Sequence, residues 1–276
     1  MNSLKLKRKL EEFFLEDIGE GDLTSNYIFD SSHTGKAVFL AKEDGVFAGA
    51  DVIRSGYNLL NSAINVTVFK KDGEEITAGD KIAEVEGPTQ TILTGERVIL
   101  NLLQRMSGIA TVTSKAVKLL QSSHTKICDT RKTSPGLRMF EKYAVACGGG
   151  CNHRMGLYDG IMIKDNHIAY CGSIEKAVER ARSRAGHMVK IEVEVETLSQ
   201  LQEAIEAKAD IIMFDNRTPE EAKQFAEMTP SWIITEASGG IKLDNLESYS
   251  NTGVDYISLG FLTHSVQALD ISLIVE

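Results

Sequence analysis

The second half of the sequence alternates between short apolar runs and longer stretches with helical patterning. Such alternation is typical of parallel strands joined by helical crossovers, and about six units of this kind can curl into an α/β barrel. An open doubly wound sheet is the structural alternative. The predicted strands are residues 126–129, 160–164, 189–195, 210–215, 232–237 and 255–259, and the predicted helices are residues 136–147, 173–185, 197–208, 218–227 and 242–250.

The first 121 residues follow a different pattern. Leu6, Leu10, Phe13 and Phe14 have helical spacing and predict an amphipathic helix over residues 3–16. We interpret this half as a mixed α+β scaffold that contains no candidate nucleophile. Its remaining predicted elements are strands at 36–42, 45–48, 65–69 and 81–85 and helices at 50–61 and 94–121.

Polar or special residues end each predicted strand of the second half. Because the carboxyl ends of parallel strands face the ligand site in α/β folds, we expect these positions to meet at one mouth. Cations come from the early strands and carboxylates from the later ones, which favours a polyanionic substrate accompanied by a divalent cation. The positions are Asp129 with Arg131 and Lys132, then Lys164, Glu194, Asp215, Glu236 with Ser238, Gly239 and Gly240, and Gly260.

The charge distribution points to a small anionic ligand. The whole chain carries 30 Lys and Arg against 39 Asp and Glu, a net charge of -9, whereas residues 126–166 carry seven against four, a local +3. A focused positive field inside an acidic protein favours a site for a small anion and argues against a broad nucleic-acid surface. The segments 238–240 and 258–260 each close a strand and would offer backbone N–H groups to a phosphate.

The N-terminal segment and the four cysteines give little information about the function. The basic N-terminus lacks the apolar run of a signal peptide, and no segment reaches the roughly 20 apolar residues of a membrane span, so a cytoplasmic protein is expected. The four cysteines, Cys128, Cys147, Cys151 and Cys171, do not show the spacing of a structural zinc site and are expected to be reduced thiols. Metal binding by Cys147, Cys151 and His153 is the alternative.

Several longer blocks stand in a fixed order along nearly the whole chain. They are DTRKTSPGLR at 129–138, EKYAV at 141–145, GGGCNHRMGLYD from 148 to 159, KDNH at 164–167, GDLTS at 21–25, GER at 95–97, NLLQRMSGIAT at 101–111, EVE at 192–194, FDN at 214–216 and EASGGI at 236–241. This set resembles the quinolinate phosphoribosyltransferase family, also described as carboxylating nicotinate-nucleotide pyrophosphorylases. Long ordered blocks are far more specific than a lone glycine motif.

The resemblance implies a particular architecture and reaction. It implies an N-terminal α/β sandwich at residues 1–109, joined by the segment 266–276, and an incomplete six- or seven-stranded α/β barrel at residues 110–265. It also implies a homodimer with shared active sites, in which one subunit's N-terminal domain closes the partner's barrel, and it leaves higher assembly open. The implied reaction joins quinolinate to phosphoribosyl pyrophosphate with Mg²⁺, giving nicotinate mononucleotide, pyrophosphate and CO₂ on the de novo route to NAD.

The resemblance also implies roles for individual residues. Arg131, His153, Arg154 and Lys164 would surround the two carboxylates of quinolinate, and Arg97 would reach in from the partner subunit. Lys132, with the adjacent Thr133, would lie between the dicarboxylate and the phosphoribosyl group. Glu194 and Asp215 would hold the ribose hydroxyls and the Mg²⁺-pyrophosphate, directly or through water. The 5-phosphate would bind at Ser238, Gly239, Gly240, Ser258, Leu259 and Gly260.

Of these, Lys132, Lys164, Glu194 and Asp215 are the expected catalytic residues. Cys151 departs from the family pattern, which puts a role for that side chain in doubt. The chemical rival is Lys164 acting as a Schiff-base lysine. Three rival functions also stay open: a nicotinate-preferring phosphoribosyltransferase, a related protein associated with molybdate uptake, and a non-catalytic anion-binding protein. The last of these would need the cations but neither Glu194 nor Asp215.

Overall fold

The computed structural model describes residues 1–276, which form ten α-helices, twelve strands and one 3₁₀ helix at Leu246–Tyr249. The helices are α1 (Ser3–Ile18), α2 (Leu23–Ile28), α3 (Ala50–Leu60), α4 (Thr89–Leu120), α5 (Arg138–Cys147), α6 (Asp165–Cys171), α7 (Ile174–Arg182), α8 (Leu198–Glu206), α9 (Pro219–Met228) and α10 (Phe261–His264). The strands are β1 (Thr34–Ala41), β2 (Gly45–Val46), β3 (Asn65–Val68), β4 (Glu75–Ile76), β5 (Lys81–Pro88), β6 (Lys126–Cys128), β7 (Ile161–Ile163), β8 (Ile191–Val195), β9 (Ile211–Asp215), β10 (Ile234–Ser238), β11 (Tyr256–Ser258) and β12 (Ile271–Val275). None of the helices combines the length and the apolar character that crossing a bilayer requires.

The chain divides into two compact units. The first comprises Met1–Ser114, Pro135–Gly149 and Ser265–Glu276, and the second comprises Lys115–Ser134 and Gly150–His264. The predicted division into 1–109 with 266–276 and 110–265 differs from these units chiefly at residues 135–149. This segment lies with the first unit because Arg105 hydrogen-bonds Glu141, and Tyr143 donates a 2.6 Å hydrogen bond to Asp72.

The first unit is built on an antiparallel sheet with the strand order β12-β1-β5-β3. The central strand β1 pairs with β5 on one side and β12 on the other, so the C-terminal strand belongs to this unit. The helix α1 starts at Asn2, whose side chain accepts the Lys5 N–H. It buries Leu6, Leu10 and Phe14, which lie four residues apart on one face. The predicted amphipathic helix at the N-terminus is therefore confirmed.

A buried ion pair anchors α5 within this unit. Glu141 is fully buried, and the Nε and Nη2 atoms of Arg105 lie 2.9 and 2.6 Å from its Oε1. Replacing Arg105 with alanine is expected to destabilise the protein by about 2–4 kcal/mol, because a buried carboxylate then loses charge-assisted hydrogen bonds. Urea unfolding followed by circular dichroism measures the shift in midpoint.

The control for this prediction is an exposed pair in the same unit. Arg54 and Asp51 are about half exposed and lie 3.6 Å apart. Because such a pair contributes about 0–1 kcal/mol, Arg54→Ala is expected to leave the midpoint almost unchanged. Equal shifts for the two variants would contradict the importance assigned to Arg105.

The second unit contains six parallel strands in the order β6-β11-β10-β9-β8-β7. Strands β7 to β11 follow one another in chain order, without the reversal that defines a doubly wound sheet, and β6 pairs with β11. The first and last strands in space, β6 and β7, do not pair, so the barrel is not closed. This confirms an α/β fold with an incomplete barrel and a separate N-terminal domain, and it excludes the doubly wound alternative.

Strand register decides which side chains face the barrel interior. In β8, Ile191, Val193 and Val195 are fully buried, so Glu192 and Glu194 point to the opposite face, towards the interior. Residues directly opposite one another on paired strands share a face, and Glu194 is paired with Met213, which in turn is paired with Glu236. Acidic side chains therefore face the barrel interior at two successive heights along the strands: Glu192 first, and then Glu194 and Glu236, nearer the carboxyl end.

Candidate active site

The carboxyl ends of the parallel strands surround a cavity of about 490 Å³. All of its lining residues lie in the second unit. The cavity brings together eleven of the predicted site residues: Arg131, Lys132, His153, Arg154, Lys164, Glu194, Asp215, Ser238, Gly239, Gly240 and Ser258. Seven separate stretches of sequence thus converge on one mouth.

Four predicted site residues do not line this cavity. Leu259 is fully buried, and its backbone N–H donates to the Cys128 carbonyl at 2.9 Å, so that N–H is engaged in the sheet. Gly260 lies next to the Lys132 side chain, and Thr133 turns back to donate its N–H to the Arg131 carbonyl. Arg97 belongs to the first unit, where its exposed side chain lies 3.7 Å from Glu96.

One side of the cavity is cationic. Arg131, Arg154 and Lys164 line it, and the Nη1 of Arg154 donates a 2.8 Å hydrogen bond to the Gly160 carbonyl. Burial, with the nearby charge of Arg131, lowers the pKa of the Arg154 guanidinium. The partly buried Arg154 guanidinium and the exposed, like-charged Arg131 are well suited to bind an anion that lies between them.

The other side of the cavity is acidic. Burial, together with the charges of Glu194 and Glu196, raises the pKa of Asp215. The Asp215 carboxylate accepts a 2.6 Å hydrogen bond from the Asn216 side chain, and Glu194 forms an ion pair with Lys164. Glu194 and Asp215 are therefore close enough for their charges to repel, which is an arrangement that a cation would relieve.

A glycine turn borders the acidic side. Gly239 and Gly240 have φ angles of 84° and 66°, which side chains rarely adopt. A Cβ atom at Gly239 would lie only 2.3–2.8 Å from atoms of Asn216, so the backbone approaches this residue as closely as glycine allows. Asn216, itself at a φ of 53°, donates its N–H to the Ser238 carbonyl. The turn can present backbone N–H groups to an anion.

His153 lines the cavity, but both of its ring nitrogens are engaged. Nδ1 accepts the Arg154 N–H at 2.8 Å, and Nε2 lies 3.1 Å from a carboxylate oxygen of Glu192. The His153 N–H donates to Asp129, a fully buried residue at the end of β6. In this conformation the ring is held by the protein itself, so a direct contact of His153 with a ligand stays a prediction.

The cysteine-based metal alternative gains no support. Cys147 lies in the first unit, and burial raises the pKa of its thiol to about 12, which disfavours the thiolate that a metal requires. The cluster of potential ligand atoms in this chain is a different one, formed by His153, Glu192 and Glu236. All four cysteines are free thiols.

The structure adds residues that the sequence did not identify. Asn216 contacts both Asp215 and the glycine turn, and Thr263 donates to the Lys132 carbonyl at 2.7 Å. Asn216 was recognisable as part of a motif at a strand end, whereas nothing in the local sequence marks Thr263. Met162 and Met213 complete the apolar part of the lining, and they occupy interior positions that strand alternation would have identified.

Comparisons with known proteins agree with this geometry. The models of the quinolinate phosphoribosyl transferase N-terminal and C-terminal domains match residues 22–107 and 109–274. A Bacillus subtilis (strain 168) protein named probable nicotinate-nucleotide pyrophosphorylase [carboxylating] is 60% identical over 273 residues, covering 99% of this chain and 94% of that protein.

A plant relative and a solved structure extend the comparison. Quinolinate phosphoribosyltransferase [decarboxylating] 2a, mitochondrial, from Nicotiana tabacum is 38% identical, covering 98% of this chain and 82% of that protein. The crystal structure of NadC from Streptococcus pyogenes superposes with a TM-score of 0.95 at 40% identity, covering 100% of this chain and 99% of that one. By sequence and by fold, this chain belongs to the quinolinate phosphoribosyl transferase family.

Proposed function

We propose that this chain transfers the phosphoribosyl group of phosphoribosyl pyrophosphate to quinolinate, with decarboxylation. The products are nicotinate mononucleotide, pyrophosphate and CO₂, and the reaction supplies NAD synthesis from the de novo pathway. One observation carries the proposal: Arg131, Arg154 and Lys164 share a single cavity with Glu194 and Asp215. A pyridine dicarboxylate and an activated sugar phosphate need these two kinds of surface side by side.

The two substrates match opposite sides of the cavity. The carboxylates of quinolinate are assigned to Arg131, Arg154 and Lys164, since guanidinium groups bind carboxylates through paired hydrogen bonds. The 5-phosphate is assigned to the turn at Ser238, Gly239 and Gly240. Lys132 is assigned to the space between the two substrates; in support, it lines the same cavity, and its side chain lies beside Gly260.

The chemistry follows from the charges. Loss of pyrophosphate leaves positive charge on the ribose ring, which the carboxylates of Glu194 and Asp215 stabilise. The quinolinate nitrogen then attacks C1 of the ribose and becomes a quaternary pyridinium. When CO₂ leaves, the positively charged ring nitrogen stabilises the electron pair that stays on the adjacent ring carbon, and a proton from solvent then replaces the carboxylate there, so transfer precedes decarboxylation. No side-chain nucleophile takes part.

Mg²⁺ is the proposed cofactor, and Glu194 and Asp215 are the residues that would hold it, directly or through water. The fit is supported by the surroundings of Asp215, where burial, together with the charge of Glu194, raises the pKa of the carboxyl group, and by the preference of Mg²⁺ for carboxylate oxygens and phosphates. The bound ion would neutralise the charge of the pyrophosphate leaving group. Lys132 and Lys164 supply further positive charge in the same cavity.

The rival functions fit less well. A Schiff-base lysine attacks as a neutral amine, whereas Lys164 is ion-paired with Glu194. An enzyme that prefers nicotinate would bind a single carboxylate and would not need three cations. A relative associated with molybdate uptake would not need the intact block at residues 152–159. A non-catalytic anion-binding protein would not need an acidic side at all.

The decisive experiment for the function measures CO₂. Quinolinate labelled in its 2-carboxylate is incubated with the protein, with phosphoribosyl pyrophosphate present or omitted and with Mg²⁺ present or chelated. Release of labelled CO₂ is expected only when both phosphoribosyl pyrophosphate and Mg²⁺ are present. Tight binding of quinolinate without any CO₂ release would instead favour the non-catalytic anion-binding protein.

We further propose a cytoplasmic homodimer in which Arg97 completes the partner's active site. Its support is the exposure of Arg97, whose side chain is 60% accessible although the resemblance assigns it to the dicarboxylate pocket. Arg97→Ala and Lys164→Ala dimers are expected to be inactive separately. In a mixture that exchanges subunits at random, half the dimers are hybrids with one intact site each, so about a quarter of wild-type activity should return.

Native mass spectrometry of the mixture, with one variant carrying a mass tag, is the control for subunit exchange. If hybrid dimers form and activity does not return, Arg97 does not act across a dimer interface. If Arg97→Ala alone remains fully active, the residue has no role in the site.

A further inference from the structure

A buried acidic pair lies beneath the cationic side of the cavity. Glu192 on β8 and Glu236 on β10 are each only 4% exposed. The Nε2 atom of His153 lies 3.1 Å from Glu192, within hydrogen-bond distance, and 3.8 Å from Glu236, which it approaches without a hydrogen bond. A second cavity of about 310 Å³ borders the same groups, and its lining includes the apolar side chains of Ile161, Ile211 and Ile234.

Hydrogen bonding fixes the tautomer of His153. Because Nδ1 accepts the backbone N–H of Arg154, the hydrogen of the neutral ring must be on Nε2, which faces the carboxyl groups. The ring therefore donates to Glu192. A metal ion on Nε2 would need the hydrogen on Nδ1, where it would oppose the Arg154 N–H. This arrangement favours a purely hydrogen-bonded cluster over a metal centre.

Glu236 has the character of a neutral carboxyl group. Its Oε1 has no hydrogen-bond partner, and burial, with the charge of Glu192, raises its pKa to about 7. The charged and polar groups that face it are Glu192 from β8, His153, Asp129 at the end of β6 and Ser258 from β11. Its surroundings therefore favour the protonated form of Glu236 over a second buried negative charge beside Glu192.

The histidine ring connects this pair to Arg154. Asp129 anchors the segment at residues 152–154: its carboxylate accepts hydrogen bonds from the backbone N–H of His153 at 2.9 Å and from the side-chain amide of Asn152 at 2.7 Å. The His153 imidazole accepts a hydrogen bond from the backbone N–H of Arg154. The Arg154 guanidinium donates to the backbone carbonyl of Gly160. The direction of the Arg154 side chain is thus set by contacts that begin at β6, β8 and β10.

We propose that Glu192 and Glu236 are positioning residues for quinolinate: they orient His153, and His153 orients Arg154. The inference rests on the proposed function, since it concerns the same dicarboxylate pocket. It assigns Glu192 as the hydrogen-bond acceptor of the imidazole and Glu236 as the buried carboxyl group that flanks the imidazole beside Glu192. Neither residue touches a substrate.

The test compares alanine and glutamine at both positions in the full-length protein. Calorimetry gives the Kd of quinolinate, and steady-state assays give the KM values of quinolinate and phosphoribosyl pyrophosphate. Glu192→Ala and Glu236→Ala are expected to raise the quinolinate Kd about 10- to 100-fold, the range seen when a buried partner that orients a ligating residue is lost. The KM of phosphoribosyl pyrophosphate should change less than about threefold, and Glu236→Gln should recover most of the loss.

Asp255→Asn is the matched control, since Asp255 accepts hydrogen bonds from Thr235 at the amino end of β10, in the same unit. It should lower the unfolding midpoint without a selective effect on quinolinate. An unchanged quinolinate Kd in both alanine variants, or an equal rise of both KM values, would overturn the inference. If the alanine variants do not fold, Glu192→Gln is tested instead, and it should raise the Kd of quinolinate more than the KM of phosphoribosyl pyrophosphate. Failure of the wild-type protein to bind quinolinate or release CO₂ would count against the proposed function instead.

Discussion

Arg154→Ala is expected to raise the Kd of quinolinate roughly 30- to 700-fold, a loss of about 2–4 kcal/mol. The guanidinium is partly buried, and its pKa is lowered by burial and by the charge of Arg131. A ligand carboxylate replaces water around it and relieves that repulsion, so the bond is made in a poorly solvated place where charge-assisted hydrogen bonds are strong. Calorimetric titration of quinolinate measures the change directly.

The repulsion between Arg131 and Arg154 leads to a second prediction, about the double variant. Because Arg131 and Arg154 repel each other in the free protein, removing either one relieves the other, and the double alanine variant should lose less than the sum of the two single losses. Arg184→Ala is the control, because this exposed arginine lies just beyond α7 and its removal changes the net charge equally. An unchanged quinolinate Kd in Arg154→Ala would remove the dicarboxylate pocket from the proposal.

Sequence patterning predicted the α/β class because it reports burial: the alternation of apolar runs and helices indicated parallel strands joined by helices. It did not decide between a barrel and a doubly wound sheet. The family resemblance implied the incomplete barrel, and the chain-order pairing of β7 to β11 decided between the two. The same pattern could not show that residues 135–149 lie with the first unit. That arrangement depends on Arg105, Glu141, Tyr143 and Asp72, whose contacts join positions far apart in sequence.

The sequence predicted the site residues whose position depends on where a strand ends. It did not predict those whose position depends on contacts between side chains distant in sequence. Lys164, Glu194 and Asp215 meet because they end neighbouring strands. Leu259 does not line the cavity, because strand alternation turns its side chain into the core, next to Ser258, which does line it. The surroundings of the His153 Nε2 atom depend on two other strands, β8 and β10, and no local pattern in the sequence reveals them.

Asp215→Asn is expected to lower kcat by about 10²–10³ while the Kd of quinolinate changes less than about twofold. The substitution keeps the size of the side chain and removes its charge. The carboxylate is needed when positive charge develops on the ribose, whereas the cations that bind quinolinate remain in place. Its burial beside Glu194 makes the charge more effective, because little water screens it.

The control for Asp215 is a neighbouring charge outside the cavity. Glu196 also raises the pKa of Asp215 but does not line the cavity, so Glu196→Gln should leave kcat within about twofold. Asp215→Asn should also need more Mg²⁺ for half-maximal activity, because one of the two proposed ligands has lost its charge. Normal turnover in Asp215→Asn, or a defect confined to quinolinate binding, would mean that ribose and metal are held elsewhere. The acidic side would then have to be reassigned to Glu194 alone, whose ion pair with Lys164 would make it a structural partner of the dicarboxylate pocket.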